Sequence, residues 1–185
     1  MTLAAPTQSA PSGTGDQPLD GFSHCHRGIA AQLHAFAELP ALHAAAQRSR
    51  EVAAATLALF QGAVIEHHAD EERELFPAVQ RSAIAGDEAD SVRLMVDRLC
   101  AEHRRIEALW KRLEPAVKAV EKARPADLDA AAVQTLVQQY LAHAAYEEQR
   151  FLPLAERILG RNGNHMAALG LSLHMRHLPT VVGYI

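Results

Sequence analysis

His67-His68-Ala69-Asp70-Glu71-Glu72-Arg73-Glu74-Leu75-Phe76-Pro77 and His143-Ala144-Ala145-Tyr146-Glu147-Glu148-Gln149-Arg150-Phe151-Leu152-Pro153 are two versions of one pattern. Each has a His, a Glu four residues on, a second Glu beside it, and a Pro ten residues after the His. A second pattern, H-R-x-I, also occurs twice, as His26-Arg27-Gly28-Ile29 and His103-Arg104-Arg105-Ile106. His26 and His103 lie 77 residues apart, and His67 and His143 lie 76 apart. The chain therefore reads as one helical hairpin written twice, with polar residues at matching places.

Around these motifs the apolar residues recur at steps of three and four. Phe22, His26, Ile29, Leu33 and Phe36 form one stripe, and Ala53, Leu57, Phe60, Val64, His67, Glu71, Leu75 and Ala78 form a second. Leu99, His103, Ile106, Trp110, Leu113 and Val117 form a third. Val133, Leu136, Tyr140, His143, Glu147, Phe151, Leu154 and Ile158 form the fourth. Such spacing places each set on one face of a helix turned towards a core. The predicted fold is all-α: an antiparallel, up-down four-helix bundle over 21–160, with a short fifth helix near the C-terminus. Gly86-Asp87 divides the second helix from the third, with Asp87 as the expected N-cap, and Arg124-Pro125-Ala126-Asp127 divides the third from the fourth. Pro40 is expected to break or kink the first helix, ahead of the weak stretch Gln47-Arg48-Ser49.

In an antiparallel hairpin, two residues share a level when the turn lies midway between them. The midpoint of His67 and His103 is 85, beside Gly86, and that of His103 and His143 is 123, beside Pro125. For His26 and His67 it falls at 46 to 47. The four histidines are thus expected at one level of the bundle.

A His and a Glu four apart lie one turn apart on the same helix face. The imidazole suits a terminal metal ligand, and the carboxylate can join two metals through its two oxygens. Two such helices would supply two bridges, and the other two helices one His each, which is the logic of carboxylate-bridged two-metal sites in bundles. Imidazole with carboxylate suits iron, and also manganese or zinc. The metal-free alternative pairs Glu71 and Glu147 with buried, protonated histidines. It must bury six polar groups at one level, at several kcal/mol for each unpaired charge.

Together these motifs resemble the hemerythrin-like, or HHE cation-binding, domain over about residues 22–160. The marks are the His of H-R-G-I, two H-x-x-x-E-E elements followed by L-F-P or F-L-P, and E-H-R-R-I on the third helix. The resemblance implies a non-haem di-iron site with His26, His67, Glu71, His103, His143 and Glu147 as ligands. Glu71 and Glu147 would be the bridges, His26 and His67 would serve one iron, and His103 and His143 the other. The oxygen-carrying members have two His one turn apart on the third helix and an Asp five residues after the last His. Here Leu99 and Glu107 flank His103, and the last pair is His143 with Glu147. The iron at His103 thus has one imidazole fewer, which counts against reversible oxygen carriage. Glu107 is a candidate for the gap, beside a plain solvated role.

Other polar residues have weaker patterns. Glu72 and Glu148 read as partners of ligating histidines, as additional ligands or as a solvated face, and His68 is simply a neighbour of His67. His24, His34 and His43 read as structural or exposed. His174 and His177 read as part of the C-terminal helix, roughly His165 to His177. Tyr140 and Tyr146 lie near His143, and Pro77 and Pro153 are expected to kink their helices just beyond the glutamates.

Composition sets the outer bounds. The 185 residues, with abundant Ala and Leu and 5% aromatics, favour helices. A net charge of -4 gives no attraction for nucleic acid. Cys25 and Cys100 form no C-x-x-C pair and read as small buried thiols. Residues 1–20, rich in Pro, Gly, Ser and Thr, read as a flexible tail. There is no apolar run long enough for a membrane and no secretory h-region, so a cytoplasmic protein is expected. The segment 161–185 would cover a bundle end or join two copies as a homodimer. The function expected is binding or sensing of oxygen, nitric oxide or peroxide, a binding role more than a catalytic one. Its rivals are a di-iron oxidase or peroxide- or nitric-oxide-consuming enzyme, and an iron store or donor.

Overall fold

The computed structural model describes residues 18–161, with side chains from His24 onward. The fold is all-α, and there is no strand among the described residues. Helix α1 (Pro18–Leu59) leads into a π-helical turn, π1 (Phe60–Val64). Then come α2 (Ile65–Asp70), a second turn π2 (Glu71–Leu75) and α3 (Phe76–Ser82). After a tight turn come α4 (Asp87–Glu121), α5 (Ala130–Tyr146), π3 (Glu147–Phe151) and α6 (Leu152–Leu159).

Two units make up the chain, 1–47 and 48–185. In the first, every described side chain from His24 on is exposed, including Ile29, Leu33 and Phe36 of the first predicted stripe. The break expected after Pro40 is absent, since α1 runs through it. A single proline removes one backbone bond, while the Ala- and Leu-rich residues after it have high helix propensity and include no glycine before Gly62. The tail predicted over 1–20 lies outside the described residues as far as 17, and helix begins at Pro18. The predicted fifth helix, His174, His177 and the dimer-forming segment also lie outside the described residues.

In the second unit the chain turns back twice. Gly86, at φ 101°, holds the N-cap position of α4, so Asp87 is the first helical residue rather than the cap. Asp87, Glu88 and Asp90 place negative charge on that helix's first turn, and Glu88 Oε2 accepts from the Ile84 N–H at 2.8 Å. The cap of α5 is Asp129, whose carboxylate accepts from the Ala132 N–H at 2.9 Å, two residues beyond the Asp127 start that the sequence pointed to. Helix α4 packs along α5, and α3 packs against both α4 and α6.

Two apolar layers fill the space between these helices. One is built around Phe60 and Trp110, whose rings stack 4.1 Å apart, with Leu57, Val64, Ile106, Leu113 and Leu136. The other holds Phe76, Val79, Val92, Leu99, Phe151 and Ile158. Within the second unit the polar motif residues fall between the two layers.

The stripe on α4 is buried as its spacing predicts: Leu99, His103, Ile106, Trp110, Leu113 and Val117. Elsewhere the register slips. After Glu71 the buried positions are Phe76 and Val79, not Leu75 and Ala78, and near the end Ala155 replaces Leu154. The π turn at Glu71 accounts for the shift to Phe76 and Val79, whereas after Glu147 both Phe151 and Ile158 keep their predicted places. In π2 the Phe76 N–H bonds to the Glu71 carbonyl, five residues back, and in π3 the Leu152 N–H bonds to that of Glu147. Pro77 and Pro153 follow immediately. Each lacks an N–H, and its ring would strike the carbonyl four residues back, so the turn before it widens.

Candidate metal centre

Glu71 and Glu147, the first residues of π2 and π3, are buried beside His103 and His143. Glu71 reaches in two directions. Its Oε1 lies 3.2 Å from His67 Nε2, and its Oε2 lies 3.3 Å from His103 Nε2. The second contact is too oblique for a hydrogen bond, so neither atom has a hydrogen-bond partner among the described residues. His143 Nε2 lies 4.0 Å from Glu147 Oε2.

The outer nitrogens of the buried histidines are held from the rim. His103 Nδ1 donates to Glu72 Oε1 at 2.9 Å and His143 Nδ1 to Glu102 Oε2 at 3.2 Å. Glu102 is fixed in turn by the Arg98 Nε–H at 2.8 Å, and the Arg98 guanidinium lies over the Tyr146 ring. Of the readings for Glu72 and Glu148, partnership with a histidine holds for Glu72, whereas Glu148 is exposed. Tyr140 is half-buried with its ring 6.3 Å from that of His143.

The donors fall into two groups. His67, Glu71 and Glu147 form one, and His68, His103 and His143 the other, each with ligand atoms within 4.8 Å of one another. Five of the six residues expected from the sequence are therefore together. His26 is exposed in the first unit and belongs to neither group. Sequence reasoning passed over His68 as a neighbour. It is fully buried, whereas the His67 side chain is 43% exposed. His67 lies three residues and His68 four beyond Val64, so helical spacing alone admits either on the buried face. Glu102 was also passed over, although it precedes His103 within E-H-R-R-I.

Charge is distributed unevenly here. Burial pushes the Glu147 carboxyl up to about 9, assisted by the hydrogen bond and charge of Glu71. Burial also acts on Glu71, but His103, the hydrogen bond with Glu147 and the His67 charge outweigh it and hold that carboxyl at about 2. The pair thus keeps one proton between them, on Glu147. Burial takes His68 down to about 4 against the pull of Glu107, and lowers His143 together with the charge of His103. For His103, Glu71 and Glu72 overcome burial and raise it.

Buried nitrogens and carboxylate oxygens turned towards one another without hydrogen bonds are costly unless a cation engages them. The imidazole and carboxylate donors fit a first-row transition metal. A cleft of 130 Å³ lined by Glu102, Arg105, Ile106, Gln139, Ala142 and His143 reaches this level. Among the described residues no helix is long and apolar enough to cross a membrane.

Comparison with known proteins agrees with this reading. An uncharacterized protein of Haemophilus influenzae is 25% identical over 175 residues, spanning 91% of this chain and 96% of that protein. No solved structure matches the chain. The sequence model described as Hemerythrin HHE cation binding domain matches residues 17–155, three quarters of the length. The chain belongs to the hemerythrin HHE cation-binding family.

Proposed function

We propose that this protein holds two iron ions in a carboxylate-bridged pair and binds or senses oxygen, nitric oxide or a peroxide. The observation that carries the reading is Glu71, with one oxygen towards His67 and the other towards His103. A carboxylate so placed can join two cations. His67 would serve the first and His103 with His143 the second, and Glu147 is the other bridging candidate. His26 retains the ligand role that its H-R-G-I pattern gives it, which a His26→Ala variant tests. Manganese or zinc would suit the same donors.

When bound, iron supplies one-electron redox chemistry and open positions for a small ligand. The chain's part is to exclude bulk water with its two apolar layers, to fix the imidazoles and, before metal enters, to hold a proton at Glu147. The cleft beside His143 suits a diatomic or peroxide better than a bulky organic substrate. Anaerobic reconstitution with ferrous iron should give close to two irons per chain and a new visible absorption on exposure to oxygen. Failure to bind iron sinks the proposal.

The same cleft favours, as second reading, an oxidase or a peroxide- or nitric-oxide-consuming enzyme. Repeated turnover in a peroxide-decay assay would select that reading over a single stoichiometric colour change.

A further inference from the structure

The geometry points to His68 as a metal ligand, the imidazole that completes the second metal position where helix α4 has only one histidine. This inference rests on the two-metal reading above and adds a residue to it.

Three observations carry it. First, His68 is arranged as His103 and His143 are. Each ring is fully buried. Each Nδ1 faces a carboxylate, Glu107 Oε1 at 2.9 Å for His68, Glu72 for His103 and Glu102 for His143. Each Nε2 is turned inward with no hydrogen bond among the described residues. A neutral imidazole that donates its Nδ1–H to a carboxylate presents the Nε2 lone pair, which is the arrangement of a metal-binding histidine with its outer partner.

Second, the rings are adjacent. His68 and His103 stack with centroids 3.9 Å apart, and His143 stands edge-on to both, at 5.6 and 4.8 Å. A ligand nitrogen from each lies within 4.8 Å of the others.

Third, His68 and His143 stand at the same distance along the chain from two aromatic rings that touch. Phe76 comes eight residues after His68, and Phe151 eight after His143. Their rings meet edge to face 5.1 Å apart. Glu107 stands one turn beyond His103, where a second histidine would otherwise fall. Its carboxylate bonds to His68, so it acts as a positioning residue for the imidazole that takes that place.

The test is anaerobic titration of the full chain with ferrous iron, and separately with cobalt(II), following stoichiometry by calorimetry and metal analysis. The fold is checked by circular dichroism. Wild type should take two ions. His68→Gln should lose one ion or bind it at least tenfold more weakly, and should change the cobalt ligand-field spectrum. Glu107→Gln should weaken the same ion by roughly 10- to 100-fold, as loss of a ligand's outer partner does. His68→Gln with two ions at wild-type affinity and an unchanged cobalt spectrum overturns the inference and leaves the two-metal reading standing. If His68→Gln fails to fold, Glu107→Gln decides, and unaltered affinity for both ions overturns the inference. Wild type that binds no metal overturns both.

Discussion

Glu71 Oε2 and His103 Nε2 face one another at 3.3 Å across π2 and α4, both buried and neither hydrogen-bonded among the described residues. Loss of the carboxylate would leave His103 with only its rim partner Glu72, and would remove the group between the two sets of donors. Glu71→Ala should therefore retain at most one metal per chain and lose any absorption arising from a pair. Metal analysis and the optical spectrum of the variant check this. Two retained ions would refute the bridging role.

Glu147 links metal binding to protons. Its carboxyl titrates near 9 in the folded chain, against an ordinary 4.5. Between these values the folded state holds a proton that the unfolded state has released. The contribution of Glu147 to metal-free stability is therefore complete below 4.5 and is lost as pH rises towards 9. Glu71 acts oppositely, adding stability above 4.5 that is lost as pH falls through about 2. Glu147→Gln should raise the metal-free melting temperature at pH 8 by at least about 3 °C, with little change at pH 4. Metal binding by wild type at pH 7 should release about one proton from Glu147, measurable by calorimetry in buffers of different ionisation enthalpy.

The shifted register makes a prediction about packing. Phe76 is fully buried against Phe151, while Leu75 is only half-buried. Phe76→Ala should cost about 3–5 kcal/mol, and Leu75→Ala less than half of that. Urea unfolding of the metal-free variants distinguishes them, and equal costs would place the register where unbroken α periodicity puts it.

The two thiols should also differ. Cys25 is exposed, against the expectation of burial, and Cys100 is partly buried. Burial and the adjacent Glu72 charge push the Cys100 thiol up to about 11. One thiol per native chain should react quickly with a maleimide at pH 7.5, and the second only after denaturation. Mass spectrometry of the digested adduct identifies which.

Legibility from sequence followed local geometry. The α4 stripe was readable to the residue because that helix keeps a 3.6-residue period over its buried length. The level of His67, His103 and His143 was readable because turns at Gly86 and after Glu121 bisect them. The register after Glu71 was not readable, since a period search assumes an unbroken α-helix and each π turn adds a residue. Proline was the cue, though read as a kink. His68 was hidden by His67, which alone satisfies the four-residue step to Glu71. The expected turn at 46 to 47 rested on a midpoint, on Pro40 and on the weak stretch Gln47-Arg48-Ser49, with no glycine there to end the helix.

Each proline-bounded π turn is in effect a one-residue insertion that the helix carries without unwinding. The two helical runs that carry the repeated motif each hold one, beginning at Glu71 and at Glu147. Deleting a residue from 72–75 alone would rotate α3 by about 100° relative to α2, swinging Phe76 away from Phe151. A matching deletion after Glu147 would rotate α6 in the same sense. The length of these two segments is therefore a paired constraint, and substitutions there should be tolerated far better than changes in length.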